Sequence, residues 1–192
     1  MSDGIFQAEQ AAKLDGEGRI RELRPLEMLR DIGGVSGGQT GVDLGSGTGV
    51  FTIPLAQLVG ANGRVYAVDN KKVMHDHLRA KHPPANISYL LAGVTATGLP
   101  DASVDICKAG FILHEVRQPA GVVTESARIL KPGGKLIVMD WRADVYHFGP
   151  PVSVRISRAK VREYLDNAGL EFTKYIDWTD NHFVAVGIKP NG

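Results

Sequence analysis

The stretch Val42-Asp43-Leu44-Gly45-Ser46-Gly47-Thr48-Gly49-Val50 decides the fold. An apolar run ends in an acid, three alternate glycines follow, and residues 51–59 then carry a helical pattern. The spacing predicts a strand, a tight turn and a helix. Glycines at such a turn let the backbone approach a ligand and take up positive φ. The helix points its free N–H groups at the same spot, so the turn reads as a cradle. A dinucleotide fingerprint would need its third glycine where Val50 stands; here it comes one place earlier, at Gly49. Asp43 would also repel a pyrophosphate. It suits a ligand that carries positive charge, such as an amino-acid ammonium or a sulfonium. A Gly-rich turn without a ligand is the plain alternative.

Composition narrows the field. A chain of 192 residues suits one α/β domain. Its 22 basic and 21 acidic residues nearly cancel, whereas a domain that grips a nucleic-acid backbone shows a basic excess; no nucleic-acid partner is expected. The single cysteine, Cys107, excludes an internal disulfide and fits a reducing compartment. The first thirty residues are charged throughout and contain no apolar core of a signal peptide. No apolar run approaches the length of a membrane span. The expectation is a cytoplasmic, soluble protein; the oligomeric state is left open.

Further along, residues 63–69 read as a second strand ending in Asp69, 71–81 as a helix before Pro83-Pro84, and 87–91 and 104–109 as strands. Pro119 opens a helix to residue 130, which Lys131-Pro132-Gly133-Gly134 ends. Residues 135–140 form a fifth strand. The long connection 141–156 leads to a helix capped by Ser157 that ends near Gly169, and 172–178 with 182–188 form a hairpin. The pattern implies a single-domain, Rossmann-like, doubly wound α/β fold. Its seven-stranded sheet is mostly parallel, with one antiparallel strand from the C-terminal hairpin. Residues 1–38 read as a helical arm or lid plus linker, and 39–192 as the ligand-binding domain. Ligands bind outside the carboxyl ends of such strands, where Asp43, Asp69, Ala109 and Asp140 fall.

Asp69 lies at the second strand end, where a carboxylate accepts from both hydroxyls of a ribose. The D-x-G-x-G-x-G run of 43–49, the second strand ending at Asp69, Leu99-Pro100-Asp101-Ala102-Ser103-Val104-Asp105, Phe111-Ile112-Leu113-His114-Glu115-Val116 and Ala127-Arg128-Ile129-Leu130-Lys131-Pro132-Gly133-Gly134 resemble the class I S-adenosylmethionine-dependent methyltransferases. They are most similar to the small-molecule group around the ubiquinone/menaquinone-biosynthesis C-methyltransferases, with a likeness running from Asp15 to Lys189. That resemblance implies S-adenosylmethionine as cofactor. Gly45, Ser46, Gly47, Thr48 and Gly49 would surround its methionine part, with Asp43 and the backbone around Ala109 and Phe111 at its ammonium. Asp69 would hold the ribose, and adenine would lie between Asn70 with Lys71 and the segment Val94, Thr95, Ala96. Thr95 departs from the pattern: many relatives carry an acid there.

Methyl transfer needs positioning and exclusion of water, and a base only when the nucleophile arrives protonated. His114, just past the fourth strand, is the candidate base, with a polar residue at a helix start as the alternative. Phe111, His114, Trp141, Arg142 and Tyr146 are candidates for the acceptor side, and His147, Phe148 and Arg155 stand nearby. Lys13-Leu14-Asp15 and Arg19 are candidates to fold over the cofactor. No metal site is expected, because His75 and His77 fall on different helix faces. Cys107 reads as a core thiol. Lys108 is out of place in a buried strand, and its ammonium is expected to reach a carboxylate or the crevice. The leading expectation is methyl transfer to the C, O or N nucleophile of a small-molecule acceptor. Protein methylation, a non-catalytic S-adenosylmethionine-binding module and a nucleotide-dependent oxidoreductase are the alternatives.

Overall fold

The computed structural model describes residues 15–145 and 147–191. Among these, seven strands form one sheet: β1 (Thr40–Leu44), β2 (Arg64–Asp69), β3 (Ile87–Leu91), β4 (Val104–Gly110), β5 (Leu130–Trp141), β6 (Glu171–Asp177) and β7 (His182–Ile188), in the order β3-β2-β1-β4-β5-β7-β6. Only β7 runs antiparallel to its neighbours, as a hairpin closing a parallel sheet requires. The helices are α1 (Glu17–Leu23), α2 (Pro25–Glu27) continuing as a π-helical turn over Met28–Ile32, α3 (Thr52–Val59), α4 (Lys72–Ala80), α5 (Pro119–Ile129) and α6 (Arg158–Asn167).

Side chains alternate across the strands, so the sheet divides two cores. Val42, Cys107, Leu136 and Phe183 meet α5 and α6 on one face. Val65, Ile106, Ile137 and Val184 meet α3 and the segment 23–35 on the other. Burial on both faces explains the apolar runs of the central strands. Strand order reverses between β1 and β4, and the turns after both open a crevice at that point.

One detail differs from expectation. The run 131–134 does more than end α5: β5 begins at Leu130, and its pairing with β4 shifts register between Val104 and Ile106. Gly133, at φ +76°, donates its backbone amide to the carbonyl of Lys189, just past β7, at 2.8 Å, and the Lys189 amide donates back to the Gly134 carbonyl at 2.9 Å. That tertiary pairing carries the strand through the bulge. The described part of the 1–38 segment packs on the sheet. Leu23, Met28, Leu29 and Val35 are buried in the second core, and the Trp178 indole donates to the Leu23 carbonyl at 2.7 Å. Lys13 and Leu14 lie outside the described residues.

Candidate functional site

The cradle forms because its glycines adopt backbone conformations that side chains resist. Gly45 and Gly49 sit at φ +73° and +91°, and a side chain on Gly49 would overlap Leu78. The amides of Gly45 and Ser46 both donate to the Val68 carbonyl at 2.9 Å, tying the turn to β2. Asp69 holds it from the side: its two carboxylate oxygens accept from the Gly47 and Lys71 amides, each at 2.9 Å. Asp15 closes it from above, accepting from the Thr48 hydroxyl at 2.7 Å and pairing with Lys81 at 2.6 Å.

A cavity of about 410 Å³ opens over this cradle, within the range of small-molecule sites. Gly45, Ser46, Gly47 and Thr48 form its floor, Asp69, Asn70 and Val94 one end, and Phe111, His114 and Trp141 the other. Several sequence candidates lie off the wall. Asp43 is buried beneath it, accepting from the Thr52 hydroxyl at 2.6 Å. Gly49 packs on α4, and Ala109 points into the first core while its neighbour Gly110 lines the cavity. Thr95 and Ala96 are exposed. Arg142 turns away to Asp144 and Asp177, at 2.8 and 3.2 Å. Tyr146 lies outside the described residues.

The Phe111 end of the cavity carries an Asp–His pair that the sequence does not reveal. The His114 ring Nδ1 donates to Asp140 Oδ1 at 2.6 Å, and the backbone amide of His114 approaches Asp140 Oδ2 at 3.3 Å. Asp140 is fully buried at the end of β5. Burial disfavours the imidazolium, but the Asp140 hydrogen bond and charge, with Glu115, outweigh it and raise the His114 pKa above the ordinary histidine value. Burial raises the Glu115 carboxyl as well. The bond to Asp140 leaves the Nε2 edge of His114 as acceptor.

Beside the pair stands an aromatic wall. Phe111 holds φ +55°, a costly conformation for a bulky residue, secured by its amide bond to the Met139 carbonyl at 2.8 Å. Its ring meets Trp141 at 5.8 Å and His182 at 5.1 Å, and Trp141 meets Phe148 at 5.4 Å. The Arg19 guanidinium caps the wall 4.8 Å above Phe111. Burial, then the nearby Arg19 charge, pushes the His182 pKa down to about 4. Arg155 serves the loop: its guanidinium donates to the carbonyls of Arg142, Val145, Phe148 and Pro150 at 2.6–2.9 Å. Arg19, Gly110, Glu115 and Pro150 also line the cavity; of these only Arg19 was singled out in the sequence as a lining candidate.

The cavity suits S-adenosylmethionine. Ser46 Oγ and Arg19 Nε are buried without hydrogen-bond partners among the described residues, and both residues stand on the wall. The Asp69 oxygens each have a lone pair left for a ribose hydroxyl. Among the described residues no group of three or more His, Cys, Asp or Glu could hold a metal ion, and no helix is long and apolar enough to cross a membrane.

Comparison with known proteins agrees with this geometry. A family model described as a methyltransferase domain matches residues 42–138. The ubiquinone/menaquinone biosynthesis C-methyltransferase of Erwinia tasmaniensis is 35% identical over 115 residues, which cover 58% of this chain and 46% of that protein. The chain thus spans less than half the length of the curated relatives it matches. The crystal structure of a SAM-dependent methyltransferase from Aquifex aeolicus superposes with a TM-score of 0.87 at 27% identity, covering 96% of this chain and 99% of that one. The [4+2]-cyclase SpnF, at TM-score 0.74 and 18% identity over 88% of this chain and 81% of its own, shares the fold alone.

Proposed function

We propose, from the premise that the chain belongs to the methyltransferase-domain family, that it methylates a small apolar acceptor whose nucleophile arrives protonated. The protein is an S-adenosylmethionine-dependent methyltransferase. What carries the finer reading is the His114–Asp140 pair at 2.6 Å beside an aromatic wall.

When bound, the cofactor supplies an electrophilic methyl group on a sulfonium. The chain's residues do the rest. Asp69 is proposed to hold the ribose, and the cradle amides and Ser46 the methionine part. Phe111 and Trp141 offer flat apolar faces that favour a planar acceptor and exclude water. His114 Nε2 takes the acceptor's proton as the nucleophile attacks, and Asp140 keeps the ring oriented and stabilises the imidazolium that results. An oxygen, nitrogen or acidic carbon nucleophile meets this requirement equally.

The test is release of S-adenosylhomocysteine with a panel of quinols, phenols, amines and peptides. Turnover is expected with planar small molecules and not with peptides. A base must be neutral to act, so kcat rises with pH to a plateau above a break that lies higher than the ordinary histidine value of 6.5. Asp140→Asn removes the raising contribution and moves the break to lower pH. His114→Ala lowers kcat by about 10²–10⁴ while leaving the cofactor Kd unchanged. A pH profile identical in Asp140→Asn and the parent would remove His114 from the base role, and cofactor binding without turnover on any acceptor would favour a non-catalytic module.

A further inference from the structure

Lys108 is among the largest fully buried side chains of the described residues, and the mechanism above does not use it. It projects from β4 on the face of Ile106 and away from Ala109. Its ammonium nitrogen has no hydrogen-bond partner among the described residues and stands 3.0 Å from the centroid of Phe51. It also occupies the space that a side chain on Gly110 would fill. Phe51 and Gly110 both line the cofactor cavity. A buried amine therefore lies directly behind the cavity wall, with no hydrogen-bond acceptor among the described residues.

The charged groups that face it come from every element around it. Asp43 of β1 is its register neighbour across the strands, and Asp140 of β5 and Arg19 of α1 act on it from the sides. Asp43 is itself held by the Thr52 hydroxyl of α3 and feels Asp69 of β2. Burial drives both members of the central pair toward neutrality, raising the Asp43 carboxyl and pushing the Lys108 ammonium down to about 7 against the pull of Asp43 and Asp140. Lys108 is thus poised between two charge states in a setting where added positive charge is felt strongly.

We infer that Lys108 is the residue by which this site tells the cationic cofactor from its neutral thioether product: the ammonium gives up a proton when a sulfonium occupies the cavity and takes one back when a thioether does. Protonated Lys108 repels a sulfonium and tolerates a thioether, so product holds on at low pH and cofactor displaces it as pH rises. The inference rests on S-adenosylmethionine as cofactor and is independent of the acceptor.

The experiment is titration calorimetry of the full chain with S-adenosylmethionine and with S-adenosylhomocysteine, in buffers of different ionisation heat. The affinity ratio of cofactor to product is expected to rise roughly tenfold between about pH 6 and pH 8. Near neutrality the cofactor releases a fraction of a proton that the product does not. Lys108→Met, close in length and apolar, flattens the ratio. His114→Asn leaves it intact, which separates Lys108 from the histidine on the wall. Should Lys108→Met fail to fold, the wild-type chain and His114→Asn still decide the matter. Equal proton release by the two ligands overturns the inference, and so does its loss in His114→Asn. Absence of S-adenosylmethionine binding at every pH would overturn the cofactor assignment itself, whereas binding without linkage overturns only the role of Lys108.

Discussion

Asp69 is one carboxylate with two duties. It anchors the cradle through the Gly47 and Lys71 amides, and in the proposed complex it accepts from the ribose. Hydrogen bonds to a charged group contribute roughly 1.5–3 kcal/mol each, so Asp69→Ala should raise the cofactor Kd at least tenfold by calorimetry. Asp69→Asn should fall between, since one amide oxygen still accepts. Its place on the cavity wall was legible in the sequence, because an acid at a strand end falls at the carboxyl edge of the sheet where ligands bind; its hold on the cradle amides was not. Asp140 was legible only as a strand-end residue. Its partnership with His114 depends on how the turn after β4 folds back over the end of β5, which no local pattern records. Lys108 stood out as an anomaly whose ammonium was expected to reach a carboxylate or the crevice; it faces the ring of Phe51, a residue of the cavity wall.

At the scale of elements, helices and strands with their own punctuation were readable, while the connection 141–156 was not. Pro119 begins α5 and Ser157 caps α6, its hydroxyl accepting from the Lys160 amide at 3.3 Å. The connection instead takes its shape from one guanidinium at its end, which gathers four carbonyls from across thirteen residues. A charged residue in sequence gives no sign that it will be buried for this purpose. Removing it leaves those carbonyls unsatisfied and frees the loop that carries Phe148 and Pro150. Arg155→Met should therefore raise the acceptor KM by about tenfold, in keeping with one lost charge-assisted bond or more, while the cofactor Kd stays within twofold or so. An equal rise in both constants would place the defect in the sheet instead of the loop.

For the molecule as a whole, the cavity is roofed and floored by segments far apart in sequence: α1 above, the cradle below, the end of β5 to one side. A ligand that touches all of them should tighten the whole. With S-adenosylmethionine at about a hundred times its Kd, the folded state gains about 2.7 kcal/mol, which corresponds to a rise in Tm of roughly 5–10 °C for a domain of this size, read by thermal scanning. No rise at saturating cofactor would mean that the cavity is not the binding site.

The interior position of β7 has a further consequence. It follows β6 in the chain, yet it lies between β5 and β6 and pairs with both along its length. During synthesis, β5 therefore waits with an open edge, and β6 waits with no neighbour, until residues 182–188 have left the ribosome. β7 has to slot into a gap held open for it, and until then the nascent chain carries a long apolar edge of the kind that invites pairing with other chains.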